Sequence, residues 1–283
     1  MSVNLSRTGP QSVVPGNLVL TLSAGDVIEN AIGGMGGDVL VGNASANRLE
    51  GGLGDDVLEG GAGNDTLVGG AGNDTYRFDA AQTLGTDTVI ELPSGGGDTL
   101  DFSATATVGV SVNLAKKGTQ KVVSKKLTLS LSADNVIENA VGGGGDDGLI
   151  GNGLDNVLNG GPGNDMLLGG GGNDTLVGGP ADGDGRDLLF GGSGLDTLRA
   201  GGADDLLFGG LSAFHNETKG TPDMAALTAI MAEWKSVHSY AERVTYLLDG
   251  GGLNKKSKLS GKLLSDSAAD SLFGEGGQDW FLV

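Results

Sequence analysis

Between Gly33 and Arg77 the chain spells five nonapeptides without a gap: GGMGGDVLV, GNASANRLE, GGLGDDVLE, GGAGNDTLV and GGAGNDTYR. The phrase resumes at Gly142 as GGGGDDGLI, GNGLDNVLN, GGPGNDMLL and GGGGNDTLV. A stretched copy, GGPADGDGRDLLF, follows, then GGSGLDTLR and AGGADDLLF, ending at Phe208. A weak trace, SDSAADSLF and GEGGQDWFL, closes the chain. A short fixed period is the signature of stacked coils, and nothing else here restricts the fold so severely. In each phrase six turn-forming residues precede three that can only be a very short strand, because glycine tolerates positive φ and Asn or Asp hydrogen-bonds its own backbone. In a three-residue strand only the middle side chain points inward. That place holds Leu40, Leu49, Leu58, Leu67 and Tyr76, then Leu149, Leu158, Leu167, Leu176, Leu189, Leu198 and Leu207, apolar every time. Two phrases bring the chain round one coil, so copies two apart stack as parallel strands at ~4.8 Å.

A longer period contains the short one. SVNLSRTGPQSVV at residue 2 matches SVNLAKKGTQKVV at residue 111, and LSAGDVIENAIGG at residue 22 matches LSADNVIENAVGG at residue 131. The offset of 109 holds to Gly70 and Gly179, with about 60% of paired positions identical, which marks a tandem duplication. Met1 falls where the second unit has Val110, in mid-unit. The expectation is the C-terminal part of a longer array, or an artificial start.

Stacking has an electrostatic consequence. It sets Asp38 under Asp56 under Asp74 on one edge and Asn47 under Asp65 on the other. The formal charge is −19, and Asp outnumbers Glu 27 to 9, as befits short carboxylates working in turns. Two carboxylates ~5 Å apart repel by roughly 1 kcal/mol in water and several at a partly buried edge. A divalent cation between each pair turns repulsion into attraction, and glycine-rich loops expose the carbonyls that complete an oxygen cage. All-oxygen ligands favour calcium over zinc or copper, and magnesium is disfavoured because it demands tight octahedral geometry and keeps its waters.

The phrase resembles the GGxGxDxUx nonapeptide of haemolysin-type, or RTX, proteins, over residues 33 to 77, 142 to 208 and weakly 265 to 282. The resemblance implies an all-β fold: calcium-stapled parallel β-roll blocks, a β-solenoid, joined by β-strand segments, with a small helical insertion near the C-terminus. Carrying over the family's aspartate ligand position gives Asp38, Asp56, Asp65 and Asp74, then Asp147, Asp165, Asp174, Asp187, Asp196 and Asp205, holding several Ca²⁺ ions. Asn47 and Asn156 replace that aspartate, so their sites are expected to be weaker or empty. The four extra residues in GGPADGDGRDLLF must bulge, which puts the stack between Asp165 and Asp187 in question. Asp270 and Asp279 sit in frame but lack most of the glycines.

The resemblance also implies a secreted, extracellular module, with type I secretion machinery or cell-surface components as partners and QDWFLV as a candidate C-terminal signal. A surface-binding solenoid for glycan or ice would present regular outward rows of Thr or aromatics, whereas Thr66, Val68, Glu59, Arg48 and Leu168 are mixed. A third reading is the non-catalytic C-terminal part of a secreted enzyme or toxin.

The remaining segments complete the division. Residues 1–32 read as a truncated strand segment, 33–77 as the first roll and 78–141 as an inter-block β segment with period-two alternation in TDTVIEL, VGVSVNL and LTLSLSA. Residues 142–210 form the second roll, 211–264 a helical insertion and 265–283 a degenerate repeat or cap. In the insertion Thr221 reads as an N-cap with Pro222 at the first helical position, and Leu227, Ile230, Met231 and Trp234 share one face. A second helix is expected at SYAERVTYLL. The insertion reads either as a secretion or partner-binding element or, as we expect, as an insertion packing that stripe on the roll.

Other classes fit poorly. Anionic character argues against nucleic acid, and the lysine clusters at Lys116–Lys126 and Lys255–Lys262 read as solvated loops. No apolar run approaches ~18 residues, and MSVNLSRTGPQSVV lacks the regions of a signal peptide. With no Cys there are no disulfides or thiolate metal sites. His215 and His238 carry no HExxH, and neither GxSxG nor GxxxxGK[ST] occurs, so no enzymatic activity is expected.

Overall fold

The computed structural model describes residues 1–7, 9–14, 18–22, 28–92, 96–180, 185–212, 214, 222–253, 259, 263–264 and 268–282. The chain divides into two compact units, Met1–Val141 and Gly142–Val283.

In the first unit short strands alternate between two parallel sheets, as an eighteen-residue coil requires. One stacks Ser2–Asn4, Val39–Val41, Val57–Glu59, Thr75–Arg77, Thr99–Asp101 and Asn139–Val141 in that order. The other stacks Asn30–Met35, Arg48–Leu53, Thr66–Ala71, Gly85–Ile90 and Leu127–Leu131, with Gly118–Val123 closing it antiparallel to the last strand. Leu40 pairs with Leu58 and Leu49 with Leu67, eighteen residues on. The interval then stretches: Leu67 pairs with Val89, and Tyr76 with Leu100. The coil therefore runs on past Arg77, through a segment whose sequence suggested a change of pattern. Phe78 and Phe102 stack at 5.4 Å between ring centres and fill the interior beyond the leucines.

The second unit repeats the plan. Val157–Asn159, Thr175–Val177, Thr197–Gly201 and Ser271–Glu275 form one column, and Gly148–Ile150, Met166–Gly171, Leu188–Ser193, Leu206–Phe208 and Trp280–Leu282 the other. The stretched copy leaves the stack intact, because Leu167 pairs with Leu189 and Leu176 with Leu198 in unbroken register. Leu198 then pairs with Leu272 and Leu207 with Phe281, 74 residues on. Residues between Phe208 and Ser271 are thus an insertion into one coil, its stem tied by an antiparallel pair, Leu211–Ser212 with Leu263–Leu264. Every middle-strand residue named above, from Leu40 to Leu207, is fully buried.

Two helices fill the insertion: α1, Met224–Trp234, and α2, Tyr240–Asp249. The cap of α1 differs from the sequence expectation. Asp223, not Thr221, is the N-cap, its side chain accepting from the Ala226 N–H at 3.0 Å; Thr221 lies outside the described residues. Aspartate serves as well as threonine there, and Asp223 stands three residues before the amide it caps. Ser239 caps α2 in a reciprocal capping box with Glu242. Leu227, Ile230, Met231, Trp234 and Leu247 cover a face of the roll built from Ile150, Leu168, Phe190 and Phe208 with Met166, Leu188 and Leu206. These roll positions flank the inward leucines, so this unit is apolar on both sides of the strand. Arg243 locks the pair down: it bonds the Trp234 carbonyl at 2.9 Å, meets Asp204 at 2.5 Å and lies over the Trp234 ring. Among the described residues no helix is long and apolar enough to cross a membrane.

Candidate metal centre

The six turn residues of each phrase place two kinds of acidic or amide side chain. The residue at position six turns inward and is buried. Asp38, Asp56, Asp65, Asp74, Asp147, Asp165, Asp174, Asp187, Asp196 and Asp205 are all at most 4% exposed. The residue at position five stays outside. The two build ladders that run in opposite directions between coils.

On the inner ladder each backbone N–H donates to the carboxylate of the next coil. Asp38 N–H bonds Asp56 Oδ1 at 2.7 Å, Asp56 N–H bonds Asp74 and Asp74 N–H bonds Asp98, both at 2.8 Å. The second edge of this unit runs from Asn47 to Asp65 to Asp87. In the second unit one edge runs Asp147, Asp165, Asp187, Asp205 and Asp279, and the other Asn156, Asp174, Asp196 and Asp270. The outer ladder runs backwards: Asn73 N–H donates to Asp55, Asn164 to Asp146 and Asn173 to Asp155, at 2.7 to 3.0 Å. Where position five is Asn or Asp in stacked copies, these steps are tied by side chains from both sides; in other copies that position holds Gly37, Ala46, Arg186 or Leu195, whereas position six is nearly always Asp.

Donation to Oδ1 satisfies half of each inner carboxylate. The other oxygen of Asp56, Asp65, Asp74, Asp87, Asp98, Asp165 and Asp205 is buried with no hydrogen-bond partner. A buried carboxylate left so costs several kcal/mol and shifts toward its neutral form. Burial accordingly raises Asp65 to about 6, Asp87 and Asp98 to about 7, Asp187 and Asp205 to about 8 and Asp165 to about 9, against the lowering pull of the backbone N–H on each.

The free oxygens face a defined place. A Cβ on Gly51 would fall against Asp56 Oδ2 and the Gly69 carbonyl of the next coil; one on Gly160 would meet Asp165 Oδ2 and the Gly178 carbonyl. At Gly142, Gly178 and Gly191 a Cβ would likewise meet the Oδ2 of Asp147, Asp187 and Asp196 and a carbonyl of the next coil, Asp147 Oδ2 also accepting the Gly143 N–H at 2.6 Å. Carboxylate and carbonyl oxygens thus converge where the first glycine leaves room, a donor set with no nitrogen or sulfur in it. Such a set fits a hard cation of calcium's size and coordination number.

Asn47 and Asn156 behave differently. Asn43 N–H donates to Asn47 Oδ1 at 2.7 Å, and Asn47 Nδ2 returns a bond to Asn43 Oδ1 at 3.2 Å. Asn152 and Asn156 make the same clasp. Asparagine at position six comes with asparagine at position two, and the pair satisfies itself where Asp56, Asp65, Asp74 and Asp165 leave an oxygen open.

Sequence reasoning missed Asp87, Glu91 and Asp98, all buried in the segment it read as plain strands. A signal was present: Asp87-Thr88-Val89 and Asp98-Thr99-Leu100 repeat the Asp-Thr-apolar ending of Asp65-Thr66-Leu67 and Asp74-Thr75-Tyr76. Asp270 and Asp279 join the ladders despite their lost glycines.

The RTX calcium-binding nonapeptide repeat family matches the chain in four copies, at residues 32–67, 41–76, 150–182 and 182–212. Comparison with curated proteins gave no match. The matched repeats bind calcium, in agreement with the donor set.

Proposed function

Since this chain is a haemolysin-type RTX repeat protein and a calcium-binding repeat module, we propose that calcium is its folding switch and that Asp38, Asp56, Asp65, Asp74, Asp147, Asp165, Asp174, Asp187, Asp196 and Asp205 are the carboxylate ligands. The observation that carries this is the inner ladder, in which carboxylate after carboxylate is buried with one oxygen unanswered. Free of metal, the aspartate edges repel and resist burial. When calcium fills the loops, the energy of binding becomes energy of folding, because the unfolded chain holds no such cage.

This coupling suits a protein that crosses a type I secretion channel unfolded, where free calcium is low, and folds outside, where it is millimolar. We read the chain as a secreted, extracellular structural or adhesive module without catalysis of its own. The mixed outward row of the first unit, with Glu59 and Arg77 on successive strands, and the helix-covered face of the second give no support to an ice- or glycan-binding plane.

Circular dichroism tests the switch. A coil-like spectrum in EDTA should become β-rich on adding millimolar calcium and should not respond to equal magnesium. A β-rich, cooperatively melting protein in metal-stripped buffer overturns the reading.

A further inference from the structure

One acidic group stands apart from the regular ladder. Asp74, Glu91 and Asp98 are all buried, and one carboxylate oxygen from each lies within 4.8 Å of the others. Glu91 stands directly after Gly85–Ile90, one coil on from Gly69, where the regular repeat has glycine. Its side chain enters the space that elsewhere belongs to a backbone carbonyl: a Cβ on Gly69 would meet Glu91 Oε1, Asp74 Oδ2 and the Tyr76 hydroxyl. Two independent observations show an unanswered demand there. The Oδ2 atoms of Asp74 and Asp98 have no partner, and these residues are 0% and 1% exposed. The Tyr76 hydroxyl contacts Glu91 and accepts the Gly69 N–H at 2.7 Å, which fixes the glutamate in place.

We propose that Asp74, Glu91 and Asp98 form a distinct calcium site beyond the nonapeptide match, with three carboxylates where the regular loops bring two, and that it is the tightest site of the first unit. The inference rests on the calcium reading of the repeats. Ligand charge and rigidity set calcium affinity, and this site has one more negative charge than its neighbours and a glutamate held by a buried phenol. Oxygen-only donors exclude preference for zinc or copper. The site ties the last matched repeat of the first unit to the coil that follows, so it clamps the roll where the glycine pattern fades.

The test uses the full chain, stripped of metal and titrated with terbium, which takes calcium's oxygen ligands and emits when a nearby tyrosine is excited. The first equivalent should give emission that is absent in Tyr76→Phe and is displaced by calcium. Glu91→Gln should weaken that first binding event by on the order of 10-fold or more, while calorimetry shows the remaining calcium events unchanged. If Glu91→Gln does not fold in calcium, Tyr76→Phe decides, since it keeps all three carboxylates. Its tightest calcium must persist while the early emission vanishes. A wild-type calcium isotherm for Glu91→Gln, or Tyr76-dependent emission that rises only after other sites fill, overturns the proposal and leaves the repeat reading standing. A chain that binds no calcium at all removes both.

Discussion

Position one of the nonapeptide excludes a side chain for a different reason from positions two and four. Gly52 and Gly54 have φ of 115° and 111°, where an L residue is strained. Gly51 instead leaves open the space that Asp56 Oδ2 and the Gly69 carbonyl border. Gly51→Ala should therefore cost about 1–3 kcal/mol by overpacking and remove one calcium ion. Gly34→Ala, with nothing near its Cβ, should stay within about 0.5 kcal/mol. Thermal melts in calcium with calorimetric ion counts separate the two. The carboxylates also set a pH dependence with opposite signs for the two forms. Burial raises Asp165 to about 9 and Asp187 and Asp205 to about 8, while an unfolded aspartate titrates near 3.9. Between those limits the metal-free folded form holds more protons than the unfolded chain, so its stability falls as pH rises from about 4 to about 8. Calcium must displace the same protons, so its affinity rises over that window. In EDTA any residual β-sheet circular dichroism should be greater at pH 5 than at pH 8, and calcium isotherms should be tighter at pH 8 than at pH 5.

At the scale of elements the strands keep register and the loops absorb change. The middle-strand leucines were legible because an inward position in a three-residue strand admits only apolar side chains, at a nine-residue spacing within a run, interrupted only by the enlarged copy between Leu176 and Leu189. Asp87 and Asp98 were not, because their coils are stretched: Asp65 to Asp87 spans 22 residues and Asp74 to Asp98 spans 24. A search at period nine slides past them, although closure of the coil by strand pairing restores the stack. The same physics kept Asp165 and Asp187 in register across the enlarged loop. The helical stripe was readable from its 3.6 spacing, but its target was not, since Ile150, Leu168, Phe190 and Phe208 come together only when coils stack. The 74-residue step from Leu207 to Phe281 exceeds an ordinary coil by 56. Deleting residues 211–266 should therefore restore normal spacing and preserve the calcium count, while uncovering that apolar face. Size-exclusion chromatography should show self-association, and a hydrophobic dye should bind. A variant that stays monomeric and dye-silent contradicts the packing role. Within the insertion, Trp234→Ala should cost about 3–5 kcal/mol, read from denaturant melts in calcium.

For the molecule as a whole, the question is whether ions load singly or together. The chain carries a net −19, and its buried carboxylates recur at every coil. A folded domain is held by roughly 5–15 kcal/mol, whereas one site filled at a hundred times its dissociation constant contributes about 2.7 kcal/mol. Several filled sites thus amount to the entire stability of a domain, and a single filled site cannot hold one together. Each inner aspartate is also bonded to the backbone of its neighbour, so under the proposed ligand assignment ordering one loop presents half the next cage. Once the tight site at Asp74, Glu91 and Asp98 is filled, partial loading of the remaining sites should be sparsely populated. Calcium titration followed by small-angle scattering should show the radius of gyration fall steeply from the ~60 Å expected of an unfolded chain this long, with a Hill coefficient well above one. Magnesium at the same concentration should leave it expanded. Compaction that proceeds gradually, with a Hill coefficient near one, would mean that each loop folds on its own ion and that the shared ladder couples nothing.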